Sequence, residues 1–217
     1  LIFGVIRIVN FAQGELVMLG MYGAYLSYWM IGLDPYASIL IVVPALFVFG
    51  VLIQRFIMQP LQNEPMMQIF ASFGMLLLFQ NIVLSITRGT GYTAPSSLSS
   101  VIIEIGDLRI SLVRLIALFA VTAAAIFLSW FVRNTMAGKA VRAVTQDRRA
   151  ARLMGINVEG TFMLTFGAGA ALAGLAGTLL APIYTMSPQI GTNFILAAFA
   201  VVVLGGLGSV WGAFVGG

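Results

Sequence analysis

The chain has 217 residues, of which 60% are hydrophobic and only 8% charged, with a formal net charge of +4. That composition excludes a soluble globule with a polar skin, and the lack of cysteine and histidine excludes disulfides, thiol catalysis, Cys/His metal sites and histidine proton relays. Apolar runs recur along the whole length, so a removable targeting segment does not account for them, and the basic residues cluster in one loop, which ties the positive charge to topology and not to nucleic acid.

The chain starts at Leu1 and stops at Gly217, each inside an apolar stretch, and is expected to be truncated at both ends. Leu1 to Val9 is read as the tail of a preceding helix. A crossing helix needs roughly 20 apolar residues, and complete spans are predicted near 16–32, 37–54, 66–87, 110–132, 161–181 and 194–215. These runs are continuously apolar, whereas the strands of a membrane barrel alternate and are about half as long. The expected fold is therefore all-α: a polytopic transmembrane bundle forming a single domain over residues 1–217.

Lys and Arg fix the orientation, because short cytoplasmic loops hold an excess of them. Arg133, Lys139, Arg142, Arg148, Arg149 and Arg152 are six of the eleven basic residues, which makes the loop of about 133–160 cytoplasmic. The loop near Gln54 to Pro65, with Arg55, falls on the same side, and 88–109 faces outward as an irregular loop.

The cytoplasmic segment is ordered by its own chemistry. Asp147 is an N-cap for the helix-forming run Arg148 to Met154, and Gly155 is placed to end that helix in a left-handed C-cap. So short a helix is not stable alone and must dock. On spacing alone, two readings stand level: a docking element, or a positively charged loop that fixes topology and touches lipid headgroups.

From Gly138 to Ile156 the chain follows Gly-x-Ala-x-Arg-Ala-x-x-x-Asp-x-x-Ala-Ala-x-x-x-Gly-Ile, which resembles the coupling loop of the permeases of ATP-binding-cassette importers for branched-chain amino acids. Asn10-Phe11-Ala12-Gln13-Gly14-Glu15 is similar to that family's NFAHGE segment, with Gln13 where many relatives carry His, a change that removes any titration there. Leu204 to Gly217 also resembles the family. The resemblance implies a transport subunit that is not itself an enzyme and binds no cofactor, located in the bacterial inner membrane. It implies a second homologous permease subunit, two cytoplasmic ATPase subunits that hold ATP-Mg, and an external substrate-binding protein as partners. Contact with the ATPase is expected through Arg142, Ala143, Asp147, Arg148, Arg149, Ala150, Ala151 and Gly155. Leucine, isoleucine and valine are the expected solutes, with urea and short amides as the alternative within the family.

Asn10 to Glu15 also reads physically as a helix break, because Asn, Gln, Gly and Glu interrupt two apolar runs. Asn10, Gln13, Glu15, Gln80 and Asn81 are candidates for the solute path; a plain cytoplasmic turn for the first three, and interhelical hydrogen bonding for the last two, are the bland alternatives. Gly169, Ala173 and Gly177, like Gly208, Gly212 and Gly216, recur every fourth residue and are expected to let helix backbones approach closely.

An ion-coupled secondary transporter or channel is the competing class. Such proteins often carry intramembrane carboxylates or histidines, which this chain lacks apart from Glu15. A membrane enzyme has no evident acid, base or nucleophile constellation here. The phosphate-binding pattern Gly-x-x-x-x-Gly-Lys-(Ser/Thr) is absent, since Gly138-Lys139 is followed by Ala140, and energy is expected from partner subunits.

Overall fold

A computed structural model describes residues 10–99, 101–105, 108–206 and 210–217. In chain order the helices are α1 Gln13–Ile31, α2 Ile39–Ile53, α3 Pro65–Thr87, α4 Leu112–Asn134, α5 Met136–Gln146, α6 Arg148–Leu153, α7 Val158–Leu180, α8 Ile190–Gly205 and α9 Val210–Gly216. α2 runs on through a π-helical turn, Gln54–Met58. Four of these helices are long and apolar enough to cross a membrane: Ile39–Met58, Pro65–Thr87, Leu112–Asn134 and Val158–Leu180.

The bundle presents apolar side chains outward, as a lipid-facing surface requires. Leu40, Phe56, Ile86 and Phe119 are each more than 60% exposed, and Val113 is the one buried residue of α4. α4 stands off from α2 and α7 across a cleft of about 570 Å³ with apolar walls that include Phe47, Ala124, Phe127, Ala168 and Leu172.

α7 is the central helix, and small residues bring α1 and α2 against it. A methyl group at Gly20 of α1 would lie 2.9 Å from the Gly174 Cα, and one at Gly177 would fall on the Val17 carbonyl. On the α2 side, one at Gly50 would lie 3.1 Å from the Gly167 Cα, and Gly174 meets Leu46. Gly169, Ala173 and Gly177 are all buried, but the glycines at 167 and 174, which face α2, form a second small-residue contact that the every-fourth-residue spacing did not single out.

Three expectations change. The predicted span 194–215 is two helices: α8 has 16 residues and ends before Gly206, whose φ of +89° breaks the run. α9 then folds back along α8, so Gly212 meets Gly205, and a methyl group at Gly216 would lie 3.0 Å from the Val201 carbonyl. Gly208 and Leu1 to Val9 lie outside the described residues. The first predicted span, 16–32, is the 19-residue α1, which lies outside the four long apolar helices because polar Gln13 and Glu15 open it.

The segment 88–109, expected to be an irregular loop, carries regular structure. Ile102–Ile105 (β1) and Leu108–Ser111 (β2) form an antiparallel ladder with Ile103 opposite Ile110 and Glu104 opposite Arg109. Tyr92 and Met186 exchange backbone hydrogen bonds of 3.2 and 2.7 Å, and their loops are thereby joined. Asp34, in the α1–α2 loop, accepts from Tyr36 N at 3.0 Å, Ser96 Oγ at 2.9 Å, and Ser97 N and Oγ at 3.3 and 3.2 Å. Burial pushes the Asp34 carboxyl up, but these hydrogen bonds outweigh it and hold its pKa below the ordinary carboxylate value. A depressed native pKa stabilises fully above the unfolded value near 4 and is lost as pH falls through the lower native value. Asp34→Asn should therefore cost roughly 1 kcal/mol at neutral pH, little because solvent reaches the site. The difference in melting temperature from the parent should shrink as the pH is taken below about 4; a difference independent of pH would contradict this.

Candidate functional site: a buried polar seam and a basic corner

Asn10 to Ala12 form a turn ahead of α1, while Gln13, Gly14 and Glu15 already belong to α1. Asn10 Oδ1 accepts from Ala12 N at 3.1 Å, a local turn that starts the helix. The Phe11 amide donates to Ser72 Oγ of α3 at 3.2 Å, and Gln13 Nε2 donates to the Gly169 carbonyl at 3.1 Å. Gly169 is the central residue of the 23 in α7, about 16 Å from either end at 1.5 Å per residue. The turn thus sits opposite the middle of α7.

Two residues further on, Glu15 is fully buried. Its Oε1 accepts from Gln80 Nε2 at 2.9 Å, and the same Nε2 lies 2.8 Å from Thr192 Oγ1 in the first turn of α8. Its carboxyl rests against Gly191, where a methyl group would sit 2.6 Å from the carboxyl carbon. Gly14 likewise faces the Gly191 carbonyl, so α1 and α8 meet backbone to backbone. One acid and one amide therefore join three helices. Asn81 is elsewhere: its side chain is exposed and donates to the Leu77 carbonyl of its own helix at 2.7 Å.

The polar seam continues toward the start of α3. Gln68 Nε2 donates to the Met58 carbonyl at 2.7 Å, at the end of the π-helical turn, and Gln54 is only 2% exposed. Along the seam Asn10 Nδ2, Gln13 Oε1, Glu15 Oε2, Gln54 Oε1 and Gln68 Oε1 are buried without a hydrogen-bond partner, and elsewhere among the described residues so are the Tyr22 and Tyr36 hydroxyls. Unpaired buried polar atoms are costly and mark places where a protein does something besides pack. Gln54, Gly191 and Thr192 were missed from the sequence; Gln54 interrupts an apolar run and was readable, whereas Gly191 and Thr192 precede the start assigned to the last span.

The corner formed by α5 and α6 is built by caps. Thr135 Oγ1 accepts from Gly138 N at 3.0 Å to start α5, and Gly138 packs so tightly on the Phe131 and Val132 carbonyls that no side chain fits. Asp147 Oδ1 accepts from Arg149 N at 2.7 Å and Ala150 N at 3.0 Å, starting α6. Those two N–H groups, with the nearby Arg149 charge, lower the Asp147 pKa. α6 ends in a Schellman motif: Gly155 has φ +80°, Ile156 N donates to Ala151 O at 3.0 Å and Gly155 N to Arg152 O at 3.1 Å.

Not every residue expected to dock faces outward. Ala151 is 4% exposed and joins the core cluster that holds Val141, Val144 and Val158, and Ala143 is partly buried against it. The Arg148 guanidinium stacks 4.9 Å over the Phe162 ring, Arg142 Nη2 donates to the Arg133 carbonyl at 3.3 Å, and Arg152 pairs with Glu159 at 3.4 Å. Arg142, Asp147, Arg148, Arg149, Ala150 and Gly155 remain exposed on the corner, together with Arg152, Leu153 and Met154. Leu153 and Met154 are 88% and 82% exposed, in a segment carrying four arginines and lying outside the apolar spans.

This architecture has relatives along its whole length. The chain is 31% identical to the high-affinity branched-chain amino acid transport system permease protein LivH of Escherichia coli K12 over 235 residues, covering 100% of this chain and 75% of that one. It is 32% identical to the corresponding permease protein BraD of Pseudomonas aeruginosa, with the same coverage, and 29% identical to a probable LivH of Methanocaldococcus jannaschii over 97% of this chain and 69% of that one. No solved structure matches significantly. The family model described as "Branched-chain amino acid transport system / permease component" matches residues 1–217, and the chain belongs to that family of multi-pass membrane permeases.

Proposed function

We propose that this chain is one permease subunit of a bacterial inner-membrane importer for branched-chain amino acids. It pairs with a second permease subunit, receives solute from an external binding protein, and is driven by two cytoplasmic ATPase subunits that hold ATP-Mg. The observation that carries the reading is the capped corner of α5 and α6. It is rigid by its own hydrogen bonds, joined to α4 and α7 on either side, and offers Leu153 and Met154 outward beside Arg149. An exposed apolar pair in a basic setting suits an acidic-rimmed groove on a partner, where charge steers association and apolar contact holds it. A secondary transporter has no use for such an element. The relatives' names supply the solute class, and the buried polar seam supplies a candidate lining for its path.

Uptake of leucine into vesicles holding the reconstituted complex should require ATP, the ATPase subunits and the binding protein, with omission of any one lowering it to background. Uptake that persists without ATP and follows a sodium or proton gradient would replace this reading with a secondary transporter. ATP-driven uptake of urea in place of leucine would keep the mechanism and change the solute.

A further inference from the structure

We propose that the Glu15 carboxyl receives the ammonium group of the amino-acid solute as it crosses, with Oε2 as the accepting atom. This rests on the permease reading above and adds to it the group that is recognised inside the membrane.

Four observations converge on Glu15. Its side chain is fully buried between Gln80 and Gly191, where a carboxylate is costly unless something positive or a donor meets it. Oε1 is engaged by Gln80, while Oε2 has no partner, and among the described residues no Lys or Arg pairs with Glu15. Of the five unpartnered polar atoms along the seam, four are acceptors and one, Asn10 Nδ2, is a donor. The seam is therefore short of donors, and an ammonium brings three donors and the positive charge that a carboxylate lacks here. Finally, the carboxyl packs on Gly191 in the first turn of the 16-residue α8, whose N-terminal end favours the ionised form. Beside it, Gly14 of α1 faces the Gly191 carbonyl and the Ile195 Cβ of α8, so the two helices approach closely next to the carboxyl.

A purely structural account makes Glu15 a tie between helices, held by Gln80 and Thr192. Glu15→Gln separates the two, since it keeps the size and polarity of the side chain and removes the charge. In vesicles holding the full complex, this variant should assemble in normal amount while leucine moved per ATP hydrolysed falls roughly tenfold or more, the scale of losing a hydrogen bond to a charged group. Glu15→Asp should recover part of that loss. Isoamylammonium in the medium should inhibit uptake by the parent and by Glu15→Asp more strongly than neutral isoamyl alcohol does, and spare the residual uptake of Glu15→Gln. A Glu15→Gln complex that matches the parent in leucine per ATP, or that isoamylammonium inhibits equally, would overturn the inference and leave the permease reading intact. Should Glu15→Gln fail to assemble, an absence of inhibition of the parent by isoamylammonium would overturn it instead. A parent complex without ATP-driven uptake would overturn both.

Discussion

Gly177→Leu should abolish recovery of the folded protein. The added Cβ would fall on the Val17 carbonyl and lie 2.8 Å from the Met21 amide, both backbone atoms of α1 that no rotamer change can move aside. Relief requires α1 and α7 to part along the seam where Gly20 meets Gly174, and overpacking of this kind costs about 3 kcal/mol or more once two helices must separate. In a membrane, where apolar surface gains nothing by leaving lipid, close backbone approach is most of what holds helices together, so the loss is not recovered elsewhere. Gly74→Ala is the control: nothing lies within 4 Å of an added methyl group on that exposed face of α3, and alanine in a helix interior is favoured by about 1 kcal/mol. Yield of monodisperse protein in detergent and its thermal midpoint measure both variants. A Gly177→Leu protein as abundant and as stable as the parent would refute the close-packing account of the α1–α7 seam.

What could be read from the sequence was local. Pro65–Thr87 lies within one residue of the predicted span 66–87, because Pro at a helix start and a long apolar run leave little choice. Asp147 and Gly155 cap α6 as expected, since capping depends only on residues a turn away. What was missed depends on contacts between distant segments. Glu15 meets a residue 65 positions away through Gln80, and Gln80 meets Thr192 across 112 positions, spacings that no period reveals. The division of 194–215 into α8 and α9 is hidden because a helix folded back on its neighbour is as apolar as one that continues. The burial of Ala151 follows from how α6 is pressed onto Val141, Val144 and Val158, and a six-residue helix has too few residues for its pattern to show which face that is.

That burial decides how coupling is tested. A bulky residue at Ala151 would damage the corner itself, whereas Leu153 and Met154 can change without touching the core. Replacing both with aspartate sets charge on an apolar contact and opposes the acidic partner surface that the neighbouring arginines call for. Apolar anchors at the centre of an interface are worth 2 kcal/mol or more each, so the double variant should lose association by roughly a hundredfold or more. The permease should still insert, pair with its membrane partner and keep its thermal midpoint. The decisive measurement is ATP hydrolysis by the reconstituted complex with and without leucine-loaded binding protein, for the parent and for Leu153→Asp with Met154→Asp. The parent should respond to the loaded binding protein while the double variant hydrolyses ATP at the same low rate in both conditions and takes up no leucine; a double variant that responds and transports like the parent would show that this corner does not couple the chain to an ATPase.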